Sequence, residues 1–230
     1  QRRRGRVLVV DDNADNRFLL RRHLERAGLK VVLASSGAAA IARHEESSFD
    51  LLLLDMQMPG LDGIATLERL RAAEEAQGRR TPAVALTAHA LEALQREALA
   101  RGFDAYATKP ITRERLLALV DRWLPENARE EPEHDDALLD EAPLEGHQRV
   151  VIAGDIIDMI PAYLERRRED VATIEELLGA GDFERLQRLG HNMKGSGEGY
   201  GLAEISRLGA EIEAAARDEA VEPLMLAARA

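Results

Sequence analysis

The sequence contains no cysteine, which removes disulfide staples and thiolate-based metal or redox chemistry from consideration. Aromatic residues make up only 3% of it, so its cores must be built from Leu, Val, Ile and Ala. Its apolar runs, such as Leu51–Leu54 and Leu116–Val120, fall far short of the ~20 residues a membrane-spanning helix needs. The chain starts at Gln1 with no secretory apolar segment behind it, so a cytoplasmic protein cut from a longer chain is expected. Positive charge is in deficit: the net charge of −11 argues against nucleic acid as a partner. The basic cluster Arg2, Arg3, Arg4 and Arg6 is therefore expected to be the solvated end of a linker or helix.

What the chain does have points to two compact units. Its 230 residues exceed one typical domain, and a 45% hydrophobic, 32% charged composition suits packed cores under a hydrated surface. Through residue 124 the pattern alternates. Strand-like runs at Val7–Val10, Val31–Ala34, Leu51–Leu54, Ala83–Leu86 and Ala105–Ala107 are separated by helical periodicity at Asn16–Ala27, Gly37–Glu46, Ile64–Gln77 and Leu91–Arg101, with Thr112–Trp123 last. Near-continuous apolar strands suit a parallel sheet buried on both faces. Five βα repeats predict an α/β domain, a doubly wound five-stranded parallel sheet, with its chemistry just beyond the carboxyl ends of the strands.

Residues 125–149 are strongly acidic, with Glu130, Glu131, Glu133, Asp135 and Asp136 among them. They read as a solvated, self-repelling linker. Residues 150–230 then carry helical periodicity only. Leu164, Val171, Ile174 and Leu178 form one stripe, Leu186, Leu189 and Met193 a second, and Ile205, Leu208, Ile212 and Ala215 a third. Pro161 suits the start of the first helix, Gly179 and Gly181 its end, and Asp182 the cap of the next. With Val221–Ala230 as a short fourth helix, the prediction is an all-α, antiparallel helical bundle.

Asp11 and Asp12 follow the first strand run, Asp55 the third, Thr87 ends the fourth and Lys109 follows the fifth. A single aspartate after a strand is commonly a helix cap. Clustered carboxylates, however, repel one another unless a cation holds them, and an all-oxygen set favours Mg²⁺. A lysine and a hydroxyl beside them suit the oxygens of a phosphoryl group. In the helical half, His191, Lys194 and Gly195 are spaced to share one helix face, with Met193 on the apolar side. His191 is thus expected to point to solvent as a nucleophile, with Lys194 as its electrostatic partner. Gly195 costs about 1 kcal/mol of helix propensity, which a closely approaching partner would justify. The glycines at 195, 197, 199 and 201 have no nucleotide-loop register and follow no strand, and there is no Walker A pattern.

These motifs carry a resemblance. Residues 6–124 resemble a response-regulator receiver domain through the Asp11–Asp12 pair, Asp55 in Leu-Asp-Met-Gln-Met-Pro-Gly, Thr87 in Leu-Thr-Ala, and Lys109–Pro110. The resemblance implies that Asp55 accepts phosphate and that Asp12, Asp55 and the Gln57 carbonyl hold Mg²⁺, with Asp11 acting through water. It also implies phosphoryl contacts from Thr87 and Lys109, a cis Lys109–Pro110 bond, and Tyr106 as a switching aromatic that responds with Thr87. His89 is expected to be a loop surface residue. Residues 150–230 resemble a histidine phosphotransfer (HPt) domain through His191-x-x-Lys194-Gly195-Ser196 followed by Gly201, which implies phosphorylation of His191.

The expected function is a two-component phosphorelay module, with a kinase phosphohistidine upstream and a response-regulator receiver downstream. The domain order is similar to the C-terminal part of a hybrid sensor histidine kinase; a stand-alone two-domain relay protein or phosphate sink is the alternative. Nothing resembles a kinase ATP-binding domain, so the chain is not expected to make its own phosphohistidine. An aspartate-dependent phosphatase would need an acid/base carboxylate where Gln57 stands, and a pure docking bundle would not need His191, Lys194 and Gly195 together.

Overall fold

The computed structural model describes residues 3–88, 92–124, 154 and 156–220. His89, residues 125–149 and Val221–Ala230 lie outside the described residues. The chain divides into two compact units, Gln1–Ala142 and Pro143–Ala230.

The first unit runs β1 (Arg6–Val10), α1 (Ala14–Arg26), β2 (Lys30–Ala34), α2 (Gly37–Glu46), β3 (Leu51–Asp55), α3 (Gly63–Glu75), β4 (Ala83–Thr87), α4 (Glu92–Ala100), β5 (Ala105–Thr108) and α5 (Arg113–Trp123). The strands form one parallel sheet in the order β2-β1-β3-β4-β5. The pleat sorts each apolar run between two cores. Val7, Val9, Leu51, Leu53, Val84 and Leu86 pack with Leu20 and Leu24 of α1 and Leu116 and Val120 of α5. Leu8, Val10, Leu52, Leu54, Ala83 and Ala85 face the opposite way, onto Ala40 of α2, Leu67 and Leu70 of α3, and Ala98 of α4. Both faces are covered, so the runs need no polar alternation. Each fully buried leucine contributes about 1.5–3 kcal/mol.

Helix starts follow capping chemistry: the side chains of Asn13, Ser36, Asp62 and Thr112 accept from backbone amides in the first turns of α1, α2, α3 and α5. Asn13, not Asp11 or Asp12, caps α1, which leaves both aspartates for other work. The amino-terminal basic cluster differs from its expected solvated state. Arg3 is buried and forks onto Asp121 of α5, Nε to Oδ1 at 2.5 Å and NH2 to Oδ2 at 2.6 Å. The Arg6 guanidinium lies 5.3 Å from the centre of the Phe49 ring. A planar guanidinium facing a carboxylate fork is worth ordering.

The second unit comprises a 3-10 turn at Ile157–Met159, α6 (Ile160–Ala180), α7 (Phe183–Ser196), a 3-10 turn at Gly197–Tyr200 and α8 (Ala203–Arg217). Pro161 lies in the first turn of α6, Gly181 ends that helix at φ 68°, and Asp182 caps α7. Gly179 continues α6 instead of ending it. The buried face of α6 is also rotated from the expected stripe. Tyr163, Ile174 and Leu177 are buried, whereas Val171 is 41% exposed. Polar residues hid that face: Arg167 and Asp170 lie on it, paired at 3.1 Å, and the Arg167 guanidinium covers the Tyr163 ring at 4.9 Å.

α7 and α8 pack antiparallel with their backbones touching. A Cβ on Gly190 would lie 2.5 Å from the Glu213 amide nitrogen, and one on Gly209 would lie 2.3 Å from that of Lys194. Farther along, a Cβ on Gly197 would lie 2.6 Å from the Ser206 nitrogen. Glycine at these points is what brings the two helices into direct contact.

Candidate functional site

At the carboxyl edge of the sheet, ligand oxygens of Asp11, Asp12 and Asp55 all lie within 4.8 Å of one another. Asp11 and Asp12 leave the end of β1, and Asp55 ends the neighbouring β3. Lys109, just past β5, reaches across the edge to place Nζ 2.7 Å from both Asp11 Oδ2 and Asp55 Oδ2. Asp55 Oδ1 accepts from the Gln57 amide at 3.2 Å. Asp11 Oδ1 accepts from the Asn13 amide at 2.8 Å and from Asn16 Nδ2 at 3.4 Å. Gly63 lets α3 start tight behind the site, since a Cβ there would lie 2.4 Å from the Asp55 carbonyl oxygen.

Burial dominates the electrostatics of this edge. Asp55 is 2% exposed. Burial pushes its carboxyl up to about 6, with Asp11 adding to the rise and Lys109 opposing it. Burial works against the Lys109 ammonium too, but the Asp11 and Asp55 carboxylates together hold its pKa above the ordinary lysine value. Three carboxylates crowd this edge, and the donors are all oxygen. Asp11, Asp12 and Asp55 therefore fit a hard divalent cation.

Thr87, buried, ends β4 opposite Thr108 and accepts from the Lys109 amide through its carbonyl at 2.7 Å. It thus stands on the same edge as Asp55 and Lys109. Lys109–Pro110 is cis. Tyr106 is 38% exposed on β5, paired in register with Ala85, two residues back from the Thr87–Thr108 pair at the edge. It is not among the groups that the edge brings together.

In the helical unit, His191 and Lys194 share a partner. His191 Nδ1 lies 3.0 Å from Glu213 Oε1, and Lys194 Nζ lies 3.0 Å from Glu213 Oε2. The hydrogen bond from His191, then that from Lys194, overrides burial and holds the Glu213 carboxyl down at about 2. An ionised carboxylate only accepts, so Nδ1 must carry a proton, and Nε2 is the ring nitrogen that Glu213 does not engage. His191 is half-buried and tethered, not the fully solvent-facing imidazole expected. Lys194 is likewise ion-paired. Gly195 is buried, so its backbone is not laid open to a partner as anticipated. Ser196 is fully buried; its hydroxyl donates to the Asn192 carbonyl at 2.9 Å and lies 3.1 Å from the Tyr163 hydroxyl. Gly201 closes the 3-10 turn at φ 76°.

Glu213, the shared partner of His191 and Lys194, is a member of this constellation that the sequence pattern did not reveal, as are Asn13 and Asn16 around Asp11. The signal was present. Gly190 and Gly209 are helix-interior glycines that mark where α7 meets α8, and Glu213 sits one turn after Gly209 among Ile212, Ala215 and Ala216.

The first unit thus gathers a carboxylate cluster on the carboxyl edge of a parallel sheet in the order β2-β1-β3-β4-β5. Residues 7–121 match the response regulator receiver domain and residues 158–228 match the Hpt domain. The chain belongs to the response-regulator receiver family, with an Hpt domain following in the same chain, and it is a two-component phosphorelay module. It is 35% identical to the sensor histidine kinase GacS of Pseudomonas protegens over 88% of this chain and 23% of that protein. It is 31% identical to the signal transduction histidine-protein kinase BarA of Shigella flexneri over 96% of this chain and 25% of that protein. The chain thus spans about a quarter of the length of these curated relatives. Among solved structures, it is similar to a chain in the co-crystal structure of Saccharomyces cerevisiae Ypd1, a histidine phosphotransfer signaling protein, with the receiver domain of its downstream response regulator Ssk1. That likeness has a TM-score of 0.52 at 29% identity and covers 56% of this chain and 94% of the other. Among the described residues, no helix is long and apolar enough to cross a membrane.

Proposed function

We propose that Asp55 accepts a phosphoryl group from the phosphohistidine of a histidine kinase, and that His191 exchanges phosphoryl groups with receiver aspartates. The observation that carries this reading is the Lys109 ammonium held 2.7 Å from both Asp11 and Asp55 beside a third carboxylate, Asp12. Asp55 Oδ attacks phosphorus, the P–N bond to the kinase histidine breaks, and its electron pair leaves with the imidazole, while Lys109 and Thr87 take the phosphoryl oxygens as charge passes to them. Asp11, Asp12 and Asp55, with the Gln57 carbonyl, would hold Mg²⁺, which when bound supplies the positive charge that lets a dianion approach. Tyr106 and Thr87 form the switch. Ser196 and Gly201 shape the end of the helix that carries His191 and Lys194. The receiver occupies residues 1–124, residues 125–149 are an acidic linker, and the phosphotransfer bundle fills 150–230. The partners are a histidine kinase upstream and a response-regulator receiver downstream, in the cytoplasm. The resemblance to the C-terminal part of hybrid kinases favours that setting over a stand-alone relay protein.

Acetyl phosphate with Mg²⁺ loads Asp55, and phosphate arriving at His191 is read as an acid-labile, base-stable label. On the composition of residues 125–149, the two sites are tethered at an effective concentration on the order of millimolar. The transfer rate in the intact chain is then independent of dilution. A mixture of Asp55→Asn and His191→Gln chains transfers far more slowly at micromolar protein. A rate in the intact chain that falls with dilution would overturn the tethered route. No phosphohistidine in either arm would overturn His191 as acceptor from this receiver.

A further inference from the structure

The Glu213 carboxylate has more cations around it than it can keep once a phosphoryl group arrives. It is 6% exposed, takes His191 Nδ1 and Lys194 Nζ at 3.0 Å each, and lies 3.6 Å from Arg217 NH2. The carboxylate is fixed, because Glu213 stands where the α7 and α8 backbones touch, with a Gly190 Cβ position only 2.5 Å from its amide nitrogen. Its cations are not fixed in the same way. Lys194 is 29% and Arg217 55% exposed, and both are long side chains that reach the carboxylate from the solvent side.

Building on the reading of His191 as a phosphoacceptor, we propose that Lys194 and Arg217 pass from Glu213 to the phosphoryl group when His191 is loaded. Arg217 is thereby a phosphoryl-binding residue, and Glu213 is the positioning residue that sets the lifetime of the phosphohistidine.

The charge balance of the transfer requires such an exchange. With Nδ1 donating to Glu213, the Nε2 lone pair attacks the phosphorus of an aspartyl phosphate. The N–P bond forms, the P–O bond to aspartate breaks, and its electron pair leaves with the carboxylate. No proton has to move. The ring keeps its Nδ1 proton and becomes cationic, so it makes the stronger demand on the Glu213 carboxylate. The phosphoryl group brings more negative charge and more acceptor oxygens than a carboxylate, so it makes the stronger demand on Lys194 and Arg217. Before transfer Glu213 is shared among the two side-chain cations and the imidazole; afterwards it serves the ring and the two cations serve the phosphate. Each charge has a partner in both states. Onward transfer reverses the sequence, and retention of the Nδ1 proton lets the ring depart as neutral imidazole. Without the anion, the phosphorylated ring sheds that proton and becomes a poorer leaving group.

The test uses the full chain carrying Asp55→Asn, so that only His191 takes label, with phosphoramidate as the phosphodonor. Decay of the phosphohistidine is followed by phosphorus NMR, and the Nδ1 proton by proton–nitrogen correlation of the imidazole. Adding Glu213→Gln is expected to lengthen the lifetime and slow transfer to an added receiver by roughly tenfold, the scale of one charge-assisted hydrogen bond. Arg217→Ala, at an exposed position, shortens the lifetime and lowers the extent of loading, and Arg217→Lys restores most of both. Normal loading with decay unchanged in both Glu213→Gln and Arg217→Ala would overturn the exchange, as would loss of the Nδ1 proton on loading of the unsubstituted site. Absence of any label on His191 would instead overturn the phosphoacceptor reading, and this inference with it.

Discussion

Acetyl phosphate is expected to label the chain at Asp55 only when Mg²⁺ is present, and the Asp55→Asn chain is expected to carry no acid-stable, base-labile phosphate. The effect is all or nothing because of what the dianion meets at the sheet edge. Asp11, Asp12 and Asp55 offer oxygens within 4.8 Å of one another, and Lys109 is the cation held between two of them. At that spacing, in a partly desolvated site, like charges repel by several kcal/mol. Without a metal Lys109 serves two carboxylates alone; Mg²⁺ on those carboxylates is what would free it to meet the incoming phosphate. A chelator should therefore remove the label as fully as Asp55→Asn does. Equal labelling with and without chelator would refute the assignment of the carboxylates to a metal. Asparagine keeps the size of the side chain, so a melt of the variant no less stable than the parent separates lost chemistry from lost fold.

Gly209→Ala should destabilise the helical unit by about 3 kcal/mol, since overpacking a close contact costs 1–3 kcal/mol or more and here the obstructing atoms are backbone. The added methyl carbon would sit 2.3 Å from the Lys194 nitrogen and 2.7 Å from the Gly190 carbonyl oxygen. Alanine's better helix propensity returns about 1 kcal/mol, too little to offset the clash. For a unit of this size the midpoint should fall by about 10 °C or more. Glu213 then moves away from His191 and Lys194, so phosphotransfer falls as well. Gly179→Ala is the control: it is also a helical glycine, but a Cβ there meets nothing within 4 Å. It should be neutral or mildly stabilising. If both variants melt alike, close approach of the helices is not what Gly209 provides.

The α/β unit was legible in the sequence to within a residue or two per element because its strands are buried on both faces. Burial on both sides writes an unbroken apolar run, as in Leu51–Leu54, and the runs Val7–Val10, Leu51–Leu54 and Ala83–Leu86 are followed directly by Asp11, Asp55 and Thr87. The bundle was less legible. Val171 was expected in the core and lies outside, because Arg167 and Asp170 occupy the true buried face of α6. Charged residues that pair with one another on a helix packing face defeat a hydrophobicity count. The same holds for Glu213, whose partners lie on α7, about twenty positions earlier in the chain. The chain's lysines are Lys30, Lys109 and Lys194. In a protein that otherwise uses arginine for positive charge, lysines at 109 and 194 were a compositional hint to both sites. Arg3 was misread for the opposite reason, since a run of arginines suggested solvent and its partner Asp121 lies at the far end of the unit.

That Arg3–Asp121 fork also makes the receiver a closed circuit in chain terms. β1 begins and α5 ends at the same pole of a parallel sheet, opposite the pole that carries Asp55, and the fork ties these two ends together. Whatever precedes and follows the unit joins it at neighbouring points, much as a cassette is held by one edge. Neighbouring segments can therefore be exchanged, lengthened or spliced without spreading the domain or disturbing its reactive edge. The same geometry marks it as a unit whose ends could be fused and whose chain could be opened at another surface loop, with the sheet order and the carboxylate cluster unchanged.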